Sequence, residues 1–181
     1  MKLNEMRLDI GCGENLTEGH AGIDFRPLPN LLLRCDIFHH NLPFKDRSVD
    51  SIVVRHVFEH VSYLECENVL REWFRILKPS ATIDIIVPNI LHISMKIVLN
   101  ELIRRDVSPY VRLLYGGQRF DGDTHYGGFT PHSLSEMLSK QGFVNVKVSP
   151  MKRGQLGLFN SLLLSQMGLE LHVSAKKGDR D

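Results

Sequence analysis

The chain has 181 residues, 43% hydrophobic and 24% charged, with 22 Lys and Arg against 21 Asp and Glu for a formal net charge of +1. One compact domain spanning residues 1–181 accounts for that length. The neutral balance offers no electrostatic footprint for nucleic acid. Three cysteines, Cys12, Cys35 and Cys66, form no C-x-x-C pair, which argues against a disulfide framework or a cysteine zinc site. No apolar run approaches the ~18 residues of a membrane helix, and the N-terminal stretch lacks a signal peptide's apolar core. A soluble, cytoplasmic, reduced protein is the expectation.

In chain order, Arg7-Leu8-Asp9-Ile10 reads as a first strand broken by Gly11-Cys12-Gly13, and Ala21-Gly22-Ile23-Asp24 as a second. Leu31 to Asp36 is a third, and Ser51-Ile52-Val53-Val54 a fourth behind a turn-like Lys45-Asp46-Arg47-Ser48. Such short apolar runs suit strands buried on both faces of a parallel sheet. Ser62-x-x-Glu65 reads as a capping box for a helix with Cys66, Val69, Leu70, Trp73 and Leu77 on its apolar stripe, ended by Lys78-Pro79. Thr82 to Val87 is a fifth strand. Leu91, Met95, Val98, Leu99 and Leu102 mark a second helix, ending near Arg104-Arg105.

A Gly-rich loop covers Tyr115 to Phe129, a length usual for lids and binding loops. Thr130 as N-cap, Pro131 in the first turn and Gly142 past the end bracket another helix. Phe143 to Val148 and Leu169 to Ala175 supply the last strands, giving an α/β, Rossmann-like, doubly wound sheet of seven strands. The helix at 90–105 carries extra apolar residues, Ile90, Ile93 and Ile97, outside its main stripe. Burial under the Gly-rich loop, a homodimer contact or docking to a lipid-linked substrate would each cover them, with membrane contact the less favoured.

Ligands of such sheets bind beyond the carboxyl ends of the strands, where the strand order reverses. Asp9, Asp24 and Asp36 all fall near strand ends, and Gly11-Cys12-Gly13 allows close backbone approach. A carboxylate on strand two can accept both hydroxyls of a ribose, and one on strand three an exocyclic amine. The dinucleotide fingerprint is absent, because Leu16 stands where its third glycine belongs. Carboxylate walls suit a cationic ligand with an adenosine half, and S-adenosylmethionine answers that description.

Leu8-Asp9-Ile10-Gly11-Cys12-Gly13, Gly22-Ile23-Asp24, Cys35-Asp36-Ile37, Leu42-Pro43-Phe44 with Ser48-Val49-Asp50, and Val57-Phe58-Glu59-His60 resemble successive motifs of class I S-adenosylmethionine-dependent methyltransferases. Leu70-x4-Arg75-Ile76-Leu77-Lys78-Pro79, His125, Phe129-Thr130 and Gly142-Phe143 continue the resemblance, which spans about residues 7 to 176. It is similar in particular to small methyltransferases often associated with surface-polysaccharide synthesis. The resemblance implies a mixed sheet with its last strand antiparallel. It places Asp9, Gly11 and Gly13 at the methionine moiety, Asp24 at the ribose, and Asp36 with Ile37 at the adenine, with Cys12 and Phe25 also binding the cofactor. Arg55 and His56 would lie beside the methyl donor.

The sequence departs from that family in two places. Only seven residues, Glu14 to His20, separate Gly13 from strand two, so the first helix is shortened or replaced by a loop. Six residues precede strand one, so no N-terminal lid is expected, and residues 90–130 are left to close the substrate pocket.

Methyl transfer to an oxygen or nitrogen of a small molecule or glycan is the expected activity, with a non-catalytic S-adenosylmethionine-binding domain acting with a partner as the alternative. An oxygen nucleophile must lose a proton, and histidine is the natural base near pH 7. His125 is the first candidate and His56 the second, while His39 and His40 read as surface residues. Arg55-His56-Val57-Phe58 stands where nucleic-acid amino-methylating enzymes carry Pro-Pro-aromatic, so no nucleic-acid partner is expected. His56-x-x-Glu59-His60 spells a zinc-peptidase pattern, H-x-x-E-H, but follows a strand with no third ligand evident. No metal is assigned, and Glu59 and His60 are read as part of the loop after strand four.

Overall fold

In the computed structural model the described residues are 5–37, 41–149 and 168–179; His39 and His40 lie outside them. Seven strands form one sheet: β1 Arg7–Ile10, β2 Ala21–Asp24, β3 Leu31–Arg34, β4 Val49–Arg55, β5 Leu77–Pro88, β6 Phe143–Ser149 and β7 Glu170–Lys177. Their order is β3-β2-β1-β4-β5-β7-β6. All neighbours pair in parallel except β7, which is antiparallel to both β5 and β6. The chain runs from β1 outward to β3 and returns to the opposite side of β1 as β4. The order therefore reverses between β1 and β4, where Ile10 faces Ile23 on one side and Val54 on the other.

Among the described residues four helices accompany the sheet: α1 Cys66–Ile76, α2 Ile90–Leu102, α3 Ser108–Tyr115 and α4 Pro131–Gln141. Helix α1 buries Cys66, Val69, Leu70 and Trp73 of the stripe predicted from periodicity, together with Ile76, while Leu77, its expected last member, is buried as the first residue of β5. Its expected capping box does not form. Glu65 occupies the N-cap in a helical conformation without a side-chain bond, and the Ser62 carbonyl instead accepts from Glu65 N–H at 2.8 Å. A further turn of chain thus leads into the helix. Helix α4 matches its signals fully: Thr130 and Ser133 exchange capping bonds, and Gly142 closes the end at φ 105°.

One core joins α1 and α4 to Leu8, Ile10, Ile52, Val54, Ile83, Ile85 and Val173. The alternate positions Ser51, Val53 and Arg55 of β4 and His172 and Ser174 of β7 stay half-buried. Strands β1 and β2 are buried on both faces as expected, with three consecutive buried residues each, whereas β3, β4 and β7 alternate and correct that expectation. Residues 14–20, between β1 and β2, contain no helix that could add cover to the half-buried face. Two other differences are local. Strand β5 begins at Leu77, earlier than expected, because Leu77 pairs with Val49. Strand β3 ends at Arg34, so Asp36 lies beyond it.

Candidate functional site

The turn after β1 is held to β2 by Gly11 N–H and Cys12 N–H, which both donate to the Ile23 carbonyl, at 2.7 and 3.2 Å. Gly11 has φ +65°, and a Cβ there would lie 2.2 Å from Val57 Cγ2. Only glycine lets this turn meet the segment after β4. Gly13 N–H continues the turn and donates to Asp24 Oδ2 at 2.9 Å.

Asp24, at the end of β2, is buried and its carboxylate is fully engaged. Besides Gly13 it accepts from Arg26 N–H at 3.0 Å, Arg26 Nε at 3.1 Å and Arg26 Nη2 at 3.1 Å. Burial pushes this carboxyl up, but the Arg26 side chain and the two backbone N–H groups pull it below the usual carboxylate range. The guanidinium also lies 5.9 Å from the centroid of the Phe25 ring and 5.6 Å from that of Phe120.

Asp9 lies beneath the turn, with no exposed surface. Its Oδ2 accepts from Thr17 N–H at 2.7 Å, Thr17 Oγ1 at 2.6 Å and Arg55 Nη2 at 2.8 Å. Arg55 also donates to the Asn15 carbonyl. These bonds do for residues 14–17 what a helix would have done, fixing a loop with side chains in place of a backbone ladder.

A cavity of about 590 Å³ opens at the β1/β4 reversal. Gly11, Asp24, Phe25, Arg26 and Ile37 line one end, and His56, Glu59, His60, His125 and Glu170 the other. Residues 112–123, from α3 and the Gly-rich loop, cover it through Leu113, Gly116, Phe120 and Asp123. The loop is pinned at its far end. Phe129 stacks on Phe58 with centroids 4.8 Å apart, and Phe58 leans on Trp73 at 5.2 Å. Tyr126 and Gly127 N–H both donate to the Glu59 carbonyl, at 2.9 and 2.8 Å.

The segment after β4 turns sharply. His56 sits at φ 53°, and Phe58–His60 form one 3-10 turn. His56 Nε2 lies 3.1 Å from Glu170 Oε1, and Nδ1 lies 3.6 Å from Glu59 Oε1. Burial alone would push this imidazole down; the two carboxylates override it and push the group up to about 10. His56 is therefore a cation at neutral pH. His125 is the opposite case: burial pushes it down despite the nearby Glu59. Its Nδ1 lies 3.1 Å from the Leu113 carbonyl, and His60 Nδ1 lies 2.9 Å from the Thr124 carbonyl. A carbonyl only accepts, so both histidines carry a proton on Nδ1 and turn Nε2 elsewhere.

Of the residues singled out in the sequence, Gly11, Asp24, Phe25, Ile37, His56 and His125 line this cavity. Cys12 is buried behind the turn, with its thiol pushed up by burial. Gly13 touches the site through Asp24. Asp9 and Arg55 support the turn from behind, and Arg55 lines a second cavity on the half-covered sheet face. Asp36 is exposed and Ile37 alone of that pair reaches the cavity. Arg26 and Glu170 escaped sequence reasoning. Glu170 arrives on a strand remote in the chain and carries no local signal. Arg26 could have been found as a cation two residues past the strand-two acid.

The methyltransferase domain family matches residues 21–83. A demethylmenaquinone methyltransferase of Thermotoga maritima is 32% identical over 127 residues, 66% of this chain and 53% of that protein. An uncharacterized protein of Methanocaldococcus jannaschii is 37% identical over 95 residues, 45% of this chain and 40% of its own length. The chain thus spans about half the length of the curated relatives it matches. Among solved structures, a SAM-dependent methyltransferase from Archaeoglobus fulgidus superposes with a TM-score of 0.61 at 18% identity, covering 97% of this chain and 87% of that one. One from Methanosarcina mazei gives 0.61 and 18%, covering 98% and 94%. The likeness to these two structures is one of fold: an open, mixed seven-stranded sheet. By that architecture and by the domain match over residues 21–83, the chain is similar to the class I S-adenosylmethionine-dependent methyltransferases.

Proposed function

We propose that this chain binds S-adenosylmethionine in the 590 Å³ cavity and transfers its methyl group to an oxygen or nitrogen of a small molecule or glycan. The observation that carries this reading is a buried carboxylate at one end of the cavity and a histidine with a bare Nε2 at the other. The donor set suits the ligand: Asp24, Glu59 and Glu170 are acidic, as a sulfonium cation prefers, and Phe25 and Ile37 supply apolar wall for a base.

Asp24 holds the ribose in this reading, and its hydroxyls take the positions on Oδ1 and Oδ2 that the Arg26 fork fills. Gly11 and Gly13 bring backbone to the methionine moiety, while Asp9, Cys12 and Arg55 hold that turn in shape. Ile37 borders the adenine, with Asp36 at its rim. Residues 90–130 act as the lid, tied down at Phe129 and covering the cavity from Leu113 to Asp123. When bound, the cofactor supplies a methyl group activated for in-line displacement. His125 Nε2 takes the proton of the acceptor, a role its neutral state at pH 7 allows. His56 keeps its own proton at that pH and positions Glu59 and Glu170 instead of acting as base.

Calorimetric titration with S-adenosylmethionine and S-adenosylhomocysteine tests the cofactor half, with micromolar binding of about −8 kcal/mol expected. A panel of hydroxyl and amine acceptors tests the rest. His125→Ala should lower kcat by roughly 10²–10⁴-fold and leave cofactor affinity unchanged. Cofactor binding without turnover on any acceptor would favour a non-catalytic domain acting with a partner.

A further inference from the structure

We propose that Glu59, His60 and His125 form a site for one divalent transition-metal cation, with an open position facing the acceptor end of the cavity. One ligand atom from each of the three lies within 4.8 Å of the others. His125 Nε2 is 3.9 Å from Glu59 Oε1, and the two imidazole rings meet edge to face with centroids 4.8 Å apart. Both rings donate Nδ1–H to backbone carbonyls, of Thr124 and Leu113. That is the outer-shell arrangement which fixes a metal-binding imidazole and presents its Nε2 lone pair.

A second observation points to a ligand independently. Glu59 is only 2% exposed, and its Oε2 has no hydrogen-bond partner. A buried carboxylate oxygen left bare costs free energy that a cation would recover. His56 does not relieve it, because that imidazole sits closer to Glu170, at 3.1 Å, than to Glu59 Oε1, at 3.6 Å. Asp123 is engaged by Arg119, at 3.1 Å, so it does not close the open position. The two ligand-bearing segments are already joined by the bonds from Tyr126 and Gly127 to the Glu59 carbonyl.

Two imidazoles and one carboxylate suit zinc, cobalt, iron or manganese better than the all-oxygen preference of calcium or magnesium. The His56-x-x-Glu59-His60 pattern therefore contributes two ligands but not the histidine pair it suggests. His56 turns away to Glu170, and His125 from the Gly-rich loop is the third ligand. The site itself stands without the methyltransferase reading; its use on an acceptor rests on that reading. Cation and proton compete for the same His125 lone pair. Metal loading and general-base action by His125 are thus alternatives, and turnover with and without metal tells which one the acceptor uses.

The test is titration of metal-stripped full-length protein with Zn²⁺ and Co²⁺, followed by calorimetry and by the visible absorption of bound Co²⁺. One equivalent per chain is expected. Outer-shell changes alone cost 10–100-fold in affinity, so His60→Ala and Glu59→Gln should each weaken binding by about 100-fold or more. The exposed His132→Ala should change nothing. Wild-type protein that takes up no stoichiometric cation, or variants that bind as wild type does, would overturn the site. Should His60→Ala fail to fold by circular dichroism, the isosteric Glu59→Gln decides. S-adenosylmethionine titration of the metal-stripped protein runs in parallel. Its failure would count against the methyltransferase reading, while missing metal uptake counts against this site alone.

Discussion

The two ends of the cavity treat their buried carboxylates in opposite ways. At the β2 end, Asp24 accepts four hydrogen bonds, three of them from Arg26. At the other end, Glu59 Oε2 and both Glu170 oxygens accept no hydrogen bond, and Glu170 is held by an ion pair with the His56 cation at 3.1 Å. One end is complete as it stands, and a ligand there must displace an arginine. The other is unfinished, and a ligand or cation there completes it. Preformed charge pairs give specificity by competition, whereas bare buried oxygens store unfavourable free energy that binding releases.

The contrast breaks most severely at Phe129, which holds the Gly-rich loop on Phe58 and so builds only the Glu59 end. Phe129→Ala should cost about 3–5 kcal/mol in chemical denaturation. Folded variant should nonetheless bind S-adenosylmethionine within about 3-fold of wild type, since Asp24 and Gly11 are untouched, which is well under 1 kcal/mol. Equal loss of cofactor affinity would show that the two ends are one unit.

Asp24→Asn attacks the other end. Hydrogen bonds to a charged group are worth about 1.5–3 kcal/mol, so cofactor affinity should fall by roughly 30-fold in calorimetry. The same change should lower stability near neutral pH. A depressed carboxyl pKa adds stability above the ordinary aspartate value of about 3.9, and that stability is lost as pH falls through the folded value. The gap between wild type and variant should accordingly close below about pH 4.

At Glu59 the sign should reverse. Glu59→Gln removes a buried negative charge while leaving the His56–Glu170 pair intact. Because the charge on the bare Oε2 is costly to bury and outweighs the longer contact with His56, the metal-free protein should gain about 1 kcal/mol of stability, read from the denaturation midpoint. A loss instead would mean that His56 needs both carboxylates, and that the Glu59 end is as complete as the Asp24 end.

What the sequence reveals follows the same division between local and remote. Gly11, Asp24 and Ile37 lie on or just past strand ends, so the β-like runs and their breaks locate them directly. Thr130, Pro131 and Gly142 mark α4 because capping chemistry acts within one turn. The Ser62-x-x-Glu65 pattern misleads for the complementary reason: a capping box needs an extended N-cap, and Glu65 is helical there. Helix α3 has eight residues with β-branched and aromatic members, too short to stand out by periodicity. The half-covered sheet face was visible as Ser51, Asp84 and Ser174 at alternate positions, but runs of four apolar residues hid the alternation. Glu59, Glu170 and His125 meet only through tertiary folding, and no spacing encodes that meeting.

The finest distinction rests on Arg26. If Asp24 is preformed by its arginine, the guanidinium is a built-in competitor for any hydroxyl pair approaching the carboxylate. The pair is partly open to solvent, with 34% of the Arg26 side chain exposed, so breaking it costs only about 0.2–1 kcal/mol. Arg26→Ala should remove that cost and tighten S-adenosylmethionine by up to about 5-fold, a change of about 1 kcal/mol. The backbone N–H groups of Gly13 and residue 26 still hold Asp24 in the variant, so its position survives. Weaker binding instead would place Arg26 on the ligand, stacked between Phe25 and Phe120 as part of the cofactor wall. The Asp24 end would then be unfinished too, and the asymmetry would lie in which charge completes each end.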